Sequence, residues 1–165
     1  MSHMRDMKKY WILSNEESKE PLHYTACGLD DIYLLSGYDI DNIDGDECIT
    51  VRNLDGLHGA IGNYLVKGKK ILSGKEIRFL RRQMDLTQSE LARLFGCDAQ
   101  QIARYEKDEN KIPGPADRLL RAVYGEHVGG RIPITELLRA IDELDAKIDD
   151  RQLFEETEEG WQAAA

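Results

Sequence analysis

The sequence predicts an α+β protein: a small N-terminal α/β domain, made of a short antiparallel sheet and one helix, followed by an all-α domain of five helices. Three observations carry that reading. Up to residue 52 short apolar runs alternate with turn formers, as strands do. From residue 55 the apolar residues recur at three- and four-residue spacing, as on a helix face. Two pairs, Ser73/Glu76 and Thr87/Glu90, fit a helix start in which hydroxyl and carboxylate each answer the other residue's amide.

The 165 residues leave room for one domain or two small ones. Met1-Ser2-His3-Met4 reads as a cloning remnant, and residues 1–22 as a tail or a short strand near 11–13. Within 23–66, the segments 23–26, 32–35 and 48–52 read as a three-stranded meander, with the acidic stretch 37–46 as its turn-rich connection. Residues 55–67 then follow helical spacing through Leu57, Ile61, Tyr64 and Leu65. Lys67-Gly68-Lys69-Lys70 is the expected linker. In 71–128, helices are expected to open at Ser73, at Thr87, at Asp98 with Gln101 three residues on, and at Pro113 or Pro115. Gly129-Gly130 breaks the chain. Residues 131–148 form a last amphipathic helix whose stripe is Leu137, Leu138, Ile141, Leu144 and Ile148; that stripe either helps to dimerise the protein or packs within its own domain. Residues 149–165 are expected to be an acidic, mobile tail on which Leu153, Phe154 and Trp161 could meet a partner.

The net charge of −9 argues against nucleic-acid binding only if it is read globally. Residues 67–124 hold 13 Lys and Arg against eight Asp and Glu, whereas the rest holds nine against 23. A basic module carried beside acidic segments fits a nucleic-acid binder whose acidic segments either meet something else or merely keep the protein soluble. No apolar run approaches the ~18–20 residues of a membrane span and no signal segment opens the chain, so a cytoplasmic protein is expected. Cys27, Cys48 and Cys97 are odd in number and scattered, which supports neither a disulfide framework nor a four-thiolate zinc site. Walker glycine loops, Gly-x-Ser-x-Gly and His-Glu-x-x-His are all missing, and the acidic run 39–46 lacks the ligand register of an EF-hand. Neither an enzyme nor a cofactor is expected.

The informative stretch is Leu86-Thr-Gln-Ser-Glu-Leu-Ala-Arg-Leu-Phe-Gly-Cys-Asp-Ala-Gln-Gln-Ile-Ala-Arg-Tyr-Glu-Lys107. Two short helices that cross closely need a small residue midway along the first and a glycine at the turn. Ala92 and Gly96 meet those needs, and Leu91, Phe95, Cys97, Ile102 and Tyr105 supply an inner face. With Gln88 as first position, the small residue is fifth, the glycine ninth and the aliphatic fifteenth. That spacing resembles the Xre/Cro type of helix-turn-helix.

The resemblance implies that the second helix enters the DNA major groove. Its outward residues are then Ala99, Gln100, Gln101 and Arg104, of which Gln100 suits adenine and Arg104 guanine. Gln88, with Thr87 beside it at the start of the preceding helix, is placed for a phosphate. Lys75, Arg78, Arg82 and Lys107 are further phosphate candidates, and Glu106 is expected to pair internally. More widely, Ser73-Gly-Lys-Glu-Ile-Arg-Phe-Leu-Arg-Arg and Ile112-Pro-Gly-Pro-Ala-Asp-Arg-Leu-Leu-Arg-Ala-Val-Tyr resemble the C-terminal half of MqsA-type antitoxins. Members of that family bind a ribonuclease toxin through an N-terminal zinc domain and repress their operon through the C-terminal one. Here only Cys27 and Cys48 could correspond to the zinc cysteines, His23 and His58 being irregularly spaced additions. Tyr24-Thr-Ala-Cys-Gly-Leu-Asp resembles a zinc-less branch, so no zinc is expected. The implied protein is a homodimeric repressor on a palindromic operator, with a toxin partner bound through 23–66. A stand-alone Xre regulator of a phage or mobile element, and a helical adaptor that has lost DNA binding, remain open.

Overall fold

The computed structural model describes residues 20–130, 133–144 and 151–164. The strand read at 11–13 and the ends of the 131–148 helix, Ile148 included, lie outside these residues.

The chain starts with two short strands, β1 (Leu22–His23) and β2 (Ile32–Leu34), which pair antiparallel. β3 (Tyr38–Ile43) and β4 (Asp46–Val51) follow as a separate two-stranded hairpin. The expected meander is therefore two sheets, and its connection 37–46 is largely strand. The cause is Asp44-Gly45, whose φ angles of 52° and 92° give the double positive φ of a tight two-residue hairpin turn. Cross-strand pairing then sets Ile40 opposite Ile49.

α1 (Leu54–Gly68) opens on Asn53, whose side chain accepts from the Gly56 amide at 3.1 Å. It buries Leu57, Ile61, Leu65 and Val66. α2 (Gly74–Gln83) and α3 (Gln88–Phe95) both begin with complete capping boxes at Ser73/Glu76 and Thr87/Glu90. Each such N-cap hydroxyl contributes about 0.5–2 kcal/mol. α4 (Ala99–Glu106) is capped by Asp98, which accepts from the Gln101 amide at 2.9 Å. α5 (Gly114–His127) has Pro113 at its N-cap and Pro115 in its first turn. α6 (Ile134–Asp142) buries Leu137 and Ile141 in contact with α1 and α5 of the same chain. Lys70 closes its C-terminal end by donating to the Ile141 and Asp142 carbonyls at 3.1 and 2.9 Å, where a cation is favoured by the helix dipole.

The expectation of a mobile acidic tail is corrected. Within 149–165, β5 (Gln152–Thr157) pairs parallel with β2, and β6 (Gly160–Ala163) pairs antiparallel with β5. The four-stranded sheet runs β1-β2-β5-β6. Phe154 is fully buried on it and meets Tyr64 of α1 edge to face at 5.8 Å. Burying a side chain of that size contributes about 1.5–3 kcal/mol, enough to hold an acidic strand against the sheet.

Arg121 joins the first half of the chain to the second. It is 0% exposed, paired with Asp117 at 3.0 Å, and it donates to the carbonyls of Val66, Lys69 and Lys70. The guanidinium thus terminates α1 and fixes the linker onto α5, using its fork of donors where a lysine has only a point charge.

Candidate nucleic-acid interface

The turn between α3 and α4 is set by Gly96, which has φ +69° and lies at the C-cap of α3. That left-handed conformation is open to glycine without strain. The Cys97 amide then donates back to the Ala92 carbonyl at 3.0 Å, and Asp98 restarts the chain as α4. Leu91, Ala92, Ile102 and Tyr105 are buried and Phe95 is partly so. The expected inner face is present except for Cys97, which is exposed because the turn carries it outward.

On the opposite face of α4, Gln100 and Arg104 are both exposed, with Ala99 and Gln101 half-exposed beside them. The two are four residues apart and so are surface neighbours. No hydrogen bond or ion pair engages either side chain among the described residues.

Behind that face sits Glu106, 8% exposed. Arg81 of α2 donates to both of its carboxylate oxygens, Gln88 of α3 donates to Oε2 at 2.8 Å, and Arg81 also reaches the Leu86 carbonyl at 2.8 Å. One carboxylate therefore locks three helices, which fixes the angle at which α4 presents Gln100 and Arg104. Asp108 adds a second lock, accepting from the Gly74 amide at 2.8 Å.

Two phosphate candidates already have acceptors within the protein. Gln88 is half-buried with its amide committed to Glu106, and Lys75 pairs with Asp30 at 2.7 Å, in the segment before β2. Both found acceptors that spacing along a helix cannot reveal. Arg78, Arg82, Lys107 and Thr87 are exposed, the Thr87 hydroxyl accepting from the Glu90 amide at 3.1 Å. Arg81, Arg121 and Lys69 are paired with Glu106, Asp117 and Glu76 of the same segment, so these pairs leave its basic surplus unchanged. Arg93 and Lys111, which motif spacing did not single out, are exposed, Arg93 within electrostatic reach of Glu90.

The residues considered for zinc do not converge. His23 stacks on Tyr33 at 4.6 Å, His58 bonds the Tyr24 hydroxyl at 3.0 Å, Cys48 is exposed on β4, and Cys27 is half-buried, its thiol pushed up by burial. Among the described residues no three His, Cys, Asp or Glu side chains gather as metal ligands. A cavity of about 650 Å³ opens between the linker, the start of α2, the loop after α4 and the start of α5, with Ile71, Leu72, Ile77, Tyr105, Ile112 and Arg118 among its lining. No helix among the described residues is long and apolar enough to cross a membrane.

Residues 77–116 match the helix-turn-helix family. The span runs from α2 into α5 and contains the α3–turn–α4 unit, so the chain carries an Xre/Cro-type helix-turn-helix domain, the domain of DNA-binding transcriptional regulators. No curated protein and no solved structure matches the chain.

Proposed function

We propose that the protein is a homodimeric transcriptional repressor which is also the antitoxin of a toxin–antitoxin pair, similar to a zinc-less branch of the MqsA type. The observation that carries the DNA half is the exposed, unpaired Gln100 and Arg104 on a helix braced by Glu106. In the major groove Arg104 donates two bonds to guanine O6 and N7, and Gln100 pairs with the adenine edge, each good pair giving about 1–3 kcal/mol of discrimination. Thr87, Lys107, Arg78 and Arg82 hold phosphates and set register. Two-fold symmetry then calls for a palindromic operator with half-sites about 34 Å apart or a multiple of that. No step in this account makes or breaks a covalent bond, and the protein acts in the cytoplasm as a binder.

The antitoxin half is supported by the separation of charge: an acidic N-terminal segment beside a basic helical one suits a basic toxin, drawn in by long-range attraction. Expressing the neighbouring gene alone and with this protein tests it. Growth arrest relieved by co-expression is the expected result; a harmless neighbour contradicts it. A second reading, a stand-alone regulator answering a small ligand, is favoured by the cavity behind α4, whose ~650 Å³ falls within the usual ligand range of roughly 300–1,000 Å³.

A further inference from the structure

The β3–β4 hairpin is not used by the DNA-binding account. Residues 39–50 are exposed without interruption, although all but the two turn residues lie in regular strands. The hairpin forms its own two-stranded sheet, so neither outer edge is paired with another strand among the described residues. Isolated hairpins are marginal in water, and free edges invite a further strand. Ile40 and Ile49 oppose each other across it at 50% and 45% exposure, and Ile43 near the turn is 59% exposed. The segment 38–51 carries five carboxylates (Asp39, Asp41, Asp44, Asp46 and Glu47) and no Lys or Arg.

The root of the arm is held firmly. Gly37, at φ +81°, leaves no room for a Cβ, which would sit 2.3 Å from the Trp161 ring. The Trp161 indole donates to the Arg52 carbonyl at 2.9 Å, and Arg52 bridges Asp39 and Glu156, each at 3.1 Å. The β5–β6 hairpin thus clamps the point from which the arm projects, and the exposed strands are presented in a fixed direction, which lowers the ordering cost of docking.

We infer that this arm is the docking surface for a basic protein partner, which covers the Ile40–Ile49 pair and neutralises the surrounding carboxylates. The inference rests on the antitoxin reading above for the existence of such a partner and names the surface that meets it. Charge decides the occupant. DNA carries the same sign as the arm, and two arms from two copies of the chain would bring ten carboxylates together.

The test uses the full chain and the purified product of the neighbouring gene as probe. One variant carries Asp41→Lys, Asp46→Lys and Glu47→Lys; a second carries Ile40→Ser and Ile49→Ser. Because these side chains are exposed, circular dichroism of both variants and DNA binding by the isoleucine variant are expected to match the wild type. Charge reversal is expected to slow association at least about tenfold and to remove its salt dependence, and the isoleucine variant to weaken binding by about tenfold or more. If both variants bind the probe like the wild type, the arm assignment is overturned while the antitoxin reading stands. If they instead turn a dimer into a monomer by sedimentation, the arm belongs to the homodimer and the assignment fails. A neighbour that is neither toxic nor bound by the wild type removes the antitoxin reading and the arm's role with it.

Discussion

Glu106 converts a buried charge into a position for an exposed one. Its carboxylate is the common acceptor for Arg81 and Gln88, so Glu106→Ala leaves a nearly buried guanidinium without its counter-ion. Loss of one member of a buried pair costs about 3–5 kcal/mol, and urea unfolding is expected to show a loss of that order; an unchanged midpoint contradicts the role assigned to Glu106. The sequence showed that Glu106 should pair internally, since a carboxylate facing phosphate is repelled. It could not name Arg81 or Gln88, because no helical spacing links residues on three different helices. His58 gives a pH-dependent counterpart. Burial, opposed by Asp55, lowers its pKa below the ordinary 6.5, where it bonds Tyr24 and sets its edge on Phe79. The fold favours neutral imidazole, so its contribution is complete above pH 6.5 and is lost as pH falls from there through the lowered folded-state value. In His58→Gln the melting temperature is expected to depend less on pH in that window; an identical dependence contradicts the assignment.

Among the elements, those defined by local chemistry were legible in advance. Ser73/Glu76, Thr87/Glu90 and Asp98 cap helices where expected because a cap is closed by residues three apart. Elements that depend on distant pairing were not. β5 aligns with β2 across about 120 residues of intervening chain, and its acidic composition resembles that of a solvated tail. The hairpin β3–β4 did carry a signal, Asp44-Gly45 between alternating residues, which the density of carboxylates obscured. The apolar stripe of α6 was visible as well, but only the packing of Leu137 and Ile141 in contact with α1 and α5 showed that its own chain covers those two residues, while Leu138 and Leu144 stay half-exposed. Phe154→Ala separates an integral strand from a mobile tail. The expected destabilisation is about 3–5 kcal/mol, as for a large core aromatic, read by thermal or urea unfolding; wild-type stability would mean that β5 is dispensable.

The two halves are physically continuous through Arg121, His58–Phe79 and Lys75–Asp30. On the function proposed above, the braced helix-turn-helix presents Gln100 and Arg104 to DNA. Selection from random-sequence DNA, followed by affinity measurement on the enriched site with wild type and Arg104→Ala, tests this most directly. The wild type is expected to enrich a palindromic sequence, and Arg104→Ala, which removes one pair from each half-site, to bind it at least about thirtyfold more weakly, with relaxed preference at one position in each half-site and unchanged thermal stability. Enrichment of no sequence, or equal affinity of both proteins for the same site, would contradict it.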